Sequence, residues 1–200
     1  MAGSPVIDLS RLDGRLNLAG WVPRSGVNGP GERFVIWTQG CPLHCPGCAN
    51  PETWPFETRR LEHPLELAEH VLSTPGIEGL TVSGGEPFAQ ATALAPLLAA
   101  VRQKGISVFV FTGLEWAEIG DAPLIPLVDV LVTGRFLHHL EAVPWRGSAN
   151  QQVHFLTDRY GPGDMPDGLA PAEVHIAADG TITWTGFPGD ALLGDLKGGP

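Results

Sequence analysis

Apolar residues in this chain fall in short, nearly unbroken blocks. Arg33-Phe-Val-Ile-Trp-Thr-Gln39 is apolar and β-branched over most of its length, and Gly79-Leu-Thr-Val-Ser83, residues 107–111 and residues 128–132 are similar. Blocks that are apolar at successive positions, instead of alternating with polar residues, predict strands buried on both faces. Each block ends in small or turn-forming residues: Gly40-Cys41, Gly84-Gly85, Thr112-Gly113 and Thr133-Gly134-Arg135. Helical periods lie between them. Residues 64–73 have Pro64 at the first helical position, Leu65, Ala68, Val71 and Leu72 on one face, and a stop at Pro75-Gly76. Residues 92–104 place Leu94, Leu97, Leu98 and Val101 at i, i+3, i+4 and i+7, and Pro96 leaves the start of that helix open. A short helical stretch surrounds 115–119, an N-terminal strand covers 16–22, and residues 152–156 read as a further strand. Alternation of strands and helices predicts an α/β fold with a parallel sheet, whose ligands bind at the carboxyl ends of the strands.

The tail reads differently. Val174-His-Ile176, the turn Ala178-Asp179-Gly180 and Thr181-Ile-Thr-Trp-Thr185 predict a β-hairpin, expected to pack on the edge of the sheet. The expected organisation is a core over residues 1–158, including its N-terminal strand. Residues 159–200 add a linker and a small C-terminal hairpin extension packed on that core.

Composition narrows the classes. Across 200 residues, 43% are hydrophobic and 17% charged, with a mean hydropathy of +0.06, which excludes wholesale disorder. The net charge of −10, without any basic run, argues against nucleic acid or an anionic membrane as partner. The first ten residues lack the basic and apolar segments of a signal peptide, and no stretch approaches the roughly 18 apolar residues of a membrane span, so a cytoplasmic location is expected.

All three cysteines lie in one loop, Cys41-Pro-Leu-His-Cys45-Pro-Gly-Cys48. A disulfide framework would disperse them, so the loop points to a metal centre. Structural zinc needs four closed ligands, and His44 would have to be the fourth. A [4Fe–4S] cluster takes four thiolates, so three would leave one iron open to bind and react a ligand. Spacing alone admits both centres, as well as unrelated thiols.

Cys41-x3-Cys45-x2-Cys48 followed by Gly84-Gly85-Glu86-Pro87 resembles the radical S-adenosylmethionine (SAM) superfamily. Within it, four segments are similar to the activating enzymes of glycyl-radical enzymes, in particular the anaerobic ribonucleotide reductase activating group. They are Asn28-Gly-Pro-Gly-Glu-Arg33, Gly40 through Trp54, Asp129 through Phe136, and Trp145-Arg-Gly-Ser-Ala-Asn-Gln151. The resemblance implies a partial (β/α) barrel of radical SAM type. It also implies a cluster on Cys41, Cys45 and Cys48, with SAM on the fourth iron through its amino and carboxylate groups. By the same resemblance Gly47, Cys48 and Ala49 lie beside the adenine, Gly84 and Gly85 admit the methionyl end, Glu86 braces that turn, Thr112 neighbours SAM, and Arg135 is a carboxylate partner. The implied partners are a large glycyl-radical enzyme and a low-potential donor of flavodoxin or ferredoxin type.

Some positions depart from the pattern. Gly47 stands where many radical SAM proteins carry an aromatic, Ala49 where the activators often carry an aromatic or His, and Asn28 and Thr133 where Asp is common. With all three cysteines in one loop, no auxiliary cluster is expected. Trp37 and Trp116 are expected in or near the core, and His138-His139 on a solvated face. Three readings remain: an activase, a radical SAM enzyme acting on a small molecule or peptide, and a zinc-binding adaptor.

Overall fold

The computed structural model describes residues 13–168, 170–176, 180 and 182–187. The strands among them are β1 (Leu16–Ser25), β2 (Arg33–Thr38), β3 (Arg60–Glu62), β4 (Gly79–Gly84), β5 (Ser107–Phe111), β6 (Val130–Thr133), β7 (Gln152–Phe155), β8 (Ala172–Ile176) and β9 (Ile182–Gly186). The helices are α1 (Pro64–Ser73), α2 (Ala91–Gln103) and α3 (Trp116–Ile119). Seven strands form one sheet in the order β3-β1-β2-β4-β5-β6-β7. β2, β4, β5 and β6 are parallel neighbours, and antiparallel pairings join β1, β3 and β7 at the flanks. The fold is therefore mixed α/β around a mostly parallel sheet.

The parallel strands are laid down in one direction across the sheet. Right-handed crossovers then leave successive helices on one face. Accordingly Leu67, Ala68 and Val71 of α1 and Leu94, Leu97, Leu98 and Val101 of α2 share a core with Phe34, Ile36, Leu80, Val82, Val108, Val110 and Leu131. Each of these side chains larger than alanine contributes about 1.5–3 kcal/mol by leaving water. Leu65, expected on the buried side of α1, is 49% exposed, and Leu67 takes that place. Pro96 lies inside α2, which begins directly after a 3-10 turn at Pro87–Gln90.

The remaining strand residues face the opposite way. Phe109, Phe111, Val130 and Val132 pack with Trp145, Tyr160 and Met165, so chain that follows β6 covers this inner face in place of helices. Trp116, expected in or near the core, is 39% exposed and stacks on His154 with ring centroids 4.6 Å apart. Its helix is only four residues long, too short to carry a buried face.

β8 and β9 pair as a separate two-stranded sheet and do not extend the edge of the large one. The turn at 177–179 and residue 181 lie outside the described residues. The hairpin is instead tied to the loop after β1: Gly26 N–H donates to Glu173 Oε1 at 2.9 Å, and Asn28 Nδ2 donates to Thr185 Oγ1. Phe187, immediately after β9, stands edge-on to Phe111 at 6.3 Å. No helix among the described residues is long and apolar enough to cross a membrane.

Arg33 carries its charge into the interior. Arg33 opens β2 with no exposure, and its guanidinium donates to Thr81 Oγ1 (2.6 Å), Pro30 O (2.8 Å), Ser107 Oγ (3.0 Å), Leu80 O (2.9 Å) and Ser107 O (3.2 Å). Burial pushes its pKa down to about 10, with Tyr160 and Asp129 pulling the other way. Gly79 leaves room for it, since a Cβ there would lie 2.1 Å from Arg33 Nη1. Arg33→Met strands several buried oxygens and is expected to lower the unfolding free energy by about 3–5 kcal/mol in urea titrations. Arg33→Lys is expected to recover little of that loss, because an ammonium cannot reproduce the guanidinium fork.

Candidate functional site

Because β2, β4, β5 and β6 are parallel, the segments that follow them emerge at one edge of the sheet. The cysteine loop leaves β2 there and is pinned at its root from two sides. Gly85 N–H donates to Thr38 O (2.8 Å) and Glu86 N–H to Gly40 O (2.9 Å), joining the loop to the turn after β4. Gly40 N–H donates to Thr53 O (2.7 Å) and Cys41 N–H to Trp54 O (3.1 Å), closing the loop on its own return. Between these, Gln39 N–H donates to Asn17 O (2.9 Å), and the buried Gln90 amide donates to Asn17 O (2.8 Å) and Gln39 O (3.0 Å).

Past that root the backbone turns left-handed at His44 (φ 46°) and Gly47 (φ 70°). Cys41, Cys45 and Cys48 line one open cleft together with Gly84, Gly85 and Thr112. Cys41 is buried, and burial pushes its thiol up, while N–H groups of Leu43 and His44 pull it back. Asn50 N–H donates to Cys48 Sγ at 3.4 Å. Among the described residues no three His, Cys, Asp or Glu side chains are already drawn up to metal-binding spacing. Donor chemistry nonetheless fits an iron–sulfur cluster: three thiols face one cleft, with backbone N–H groups directed at two of the sulfurs. A four-ligand zinc site fits poorly. His44, the fourth ligand it would need, is exposed, packs its ring on Trp54 at 5.1 Å and takes no part in the cleft wall.

The glycine pair after β4 has a cause beyond ligand access. A Cβ on Gly85 would sit 2.3 Å from Gly40 O, and one on Gly84 (φ 103°) 2.5 Å from Thr38 N. The missing side chains therefore let this turn dock against the root of the cysteine loop, in addition to bordering the cleft. Glu86 is 2% exposed and its carboxylate is engaged, accepting from Phe88 N–H (3.0 Å), Thr112 Oγ1–H (2.8 Å) and Gly113 N–H (3.0 Å). It thus ties the ends of β4 and β5 together. Burial pushes its carboxyl above the ordinary range, against the pull of those three donors.

Of the other expected residues, Cys48, Ala49 and Thr112 border the cleft, whereas Gly47 and Arg135 do not. A Cβ on Gly47 would meet His138 Cβ at 2.6 Å, so this glycine packs under His138. Arg135 forms a two-pronged pair with Glu118, at 3.0 Å on each arm, and donates to Gly113 O. That pairing raises its pKa and lowers that of Glu118.

Sequence reasoning did not assign Phe111, Phe136, Gly147, Gln151 and Phe187 to the cleft they line. Gln151 holds the loop before β7, accepting from Gly147 N–H (2.8 Å) and Ser148 N–H (3.2 Å) and donating to Gly134 O (2.9 Å). The segment from Trp145 to Gln151 was visible only as a motif. Nothing local in the sequence signals Phe187.

Comparison with known proteins adds the family. A family model described as a 4Fe-4S single cluster domain matches residues 27–154. A Vibrio cholerae protein named anaerobic ribonucleoside-triphosphate reductase-activating protein is 35% identical over 156 residues, covering 71% of this chain and 99% of the relative. The chain belongs to this 4Fe-4S family of reductase-activating proteins. A Salmonella typhimurium protein of the same name is 34% identical over 151 residues, covering 68% of this chain and 96% of the relative. Among solved structures, QueE from Escherichia coli aligns with a TM-score of 0.41 at 18% identity, over 53% of this chain and 57% of that chain.

Gly85→Ala is expected to lower stability by about 3 kcal/mol in thermal or urea unfolding, since its Cβ would press on backbone that cannot move aside. Glu86 makes a prediction about pH. Its folded-state value lies above the ordinary 4.5, so the folded protein holds this proton longer than the unfolded chain. The group's contribution is most favourable below 4.5 and declines as pH rises through the folded-state value. Stability–pH curves of wild type and Glu86→Gln are expected to differ by that slope.

Proposed function

We propose that this chain is a radical SAM activase that generates a glycyl radical on a large partner of the anaerobic ribonucleotide reductase type. Cys41, Cys45 and Cys48 hold a single [4Fe–4S] cluster, and the cleft beside them takes SAM. With both groups bound, the site would supply one-electron reductive cleavage of the SAM sulfonium, the electron coming from a flavodoxin- or ferredoxin-type donor, with methionine and 5′-deoxyadenosine as products and a glycyl radical left on the partner.

What the chain itself does follows from the site. The thiols supply three donors, and the sequence contains no other cysteine to fill a fourth position. The hydrogen bonds at Thr38, Gly40 and Cys41 hold the loop root fixed relative to the turn after β4. Glu86 keeps that turn against Thr112 and Gly113, so three strand ends form one rigid border to the cleft. Phe111, Phe136 and Phe187 line the same cleft with apolar surface, which limits the water available to a radical. The one-directional order of β2, β4, β5 and β6, with α1 and α2 in one core, supports reading the sheet as a partial (β/α) barrel. The hairpin is its extension. A cytoplasmic setting belongs to the same reading, since all three thiols must stay reduced.

The observation that carries the proposal is the meeting of three thiols and the Gly84-Gly85 turn in one cleft, in a chain of this family. The test is anaerobic reconstitution with iron and sulfide, followed by reduction in the presence of SAM. Methionine and 5′-deoxyadenosine are expected as products. Cys41→Ala, Cys45→Ala and Cys48→Ala are each expected to lose the cluster absorbance and reduce product to background. One zinc per chain with no acid-labile sulfide would overturn the proposal, and so would product formation that survives any of the three substitutions.

A further inference from the structure

The C-terminal hairpin lies beyond residue 154, where the match to the family model ends, yet it reaches the candidate site. β9 contributes Thr185, which is buried and accepts from Asn28 Nδ2. The next residue but one, Phe187, borders the cleft that contains the three cysteines. Phe187 is held on several sides. Its N–H donates to Pro171 O at 3.2 Å, fixing the backbone where the hairpin closes, and its ring stands edge-on to Phe111. The ring also occupies space that glycine leaves open: a Cβ on Gly147 would lie 2.8 Å from Phe187 Cε1 and 3.2 Å from Phe136 Cδ2. An aromatic side chain is thus seated in a glycine-shaped notch at the wall of the cleft, carried by a hairpin with its own anchor on the body of the protein.

We infer that the C-terminal hairpin is a structural wall of the SAM cleft, and that Phe187 is the positioning residue that sets the width of that cleft. The inference rests on the proposed function only in taking SAM as the ligand. An apolar ring fixed at this wall narrows the space left for the cofactor and removes water from one side of it. The glycine at 147 and the phenylalanine at 187 then act as a pair: enlarging the first displaces the second.

Equilibrium dialysis of SAM against the anaerobically reconstituted protein, without reductant so that nothing turns over, tests this. Phe187→Ala is expected to raise the SAM dissociation constant about tenfold, with iron content unchanged. Phe187→Leu, which keeps an apolar wall, is expected to stay within about threefold of wild type. Gly147→Ala is expected to weaken binding when Phe187 is present and to have little further effect in the Phe187→Ala background, a non-additivity that places the effect of residue 147 on SAM through the Phe187 ring. Equal dissociation constants for wild type, Phe187→Ala and Gly147→Ala would overturn the inference. Absence of SAM binding by the wild type would instead overturn the functional reading on which the inference stands.

Discussion

Between Thr38 and Cys41 the backbone is bonded at every residue to a different part of the chain. Thr38 and Gly40 accept from the turn after β4, Gln39 pairs with Asn17 and Gln90, and Gly40 and Cys41 donate to the returning end of the loop at Thr53 and Trp54. The rest of the site depends on this knot. A loop broken by Pro42, Pro46 and Gly47 has no regular secondary structure to hold it, so its sulfurs are positioned only as well as its two ends are. Gly84 and Gly85 are part of the same constraint, because the strand ends could not approach this closely with side chains between them.

From the knot outward, each strand end is linked to the next by polar side chains, buried at Glu86 and Gln151 and partly exposed at Arg135. Glu86 joins β4 to Thr112 and Gly113 after β5, Arg135 reaches from the end of β6 to Gly113 and Glu118, and Gln151 holds Gly134 against the loop before β7. At the opposite end of the sheet Arg33 does a similar job with its guanidinium, gathering oxygens from β4, β5 and the loop before β2. Both ends of the parallel strands are therefore cross-linked by hydrogen bonds, while the middle is held by apolar packing.

Much of this was legible in the sequence, and the physical reason differs by element. α1 runs over the residues expected, because Pro64 pre-sets its first turn and Pro75-Gly76 cannot continue it. The apolar blocks marked β2, β4, β5 and β6, and their glycine-rich ends marked the edge where the cleft lies. β3 was missed because three polar-flanked residues carry no period. The cysteine loop and the turn at Gly84-Gly85 were legible as motifs, yet what the glycines contact was not, since a missing side chain does not say what fills its place. Glu86 and Arg135 are bonded to partners distant in sequence, Thr112 and Glu118, which no local pattern encodes. The hairpin was recognisable from its alternation, but its position across the inner face depends on Asn28 and Gly147, over a hundred and about forty residues away from their partners.

The proposed function requires a cluster held by three thiolates, with its fourth iron left for SAM. Electron–nuclear double resonance on the reduced cluster, using SAM labelled with nitrogen-15 at its amino group, measures that directly. The account predicts a hyperfine coupling from the labelled nitrogen that disappears when unlabelled SAM is used. A reduced cluster that shows no such coupling with SAM bound would contradict it.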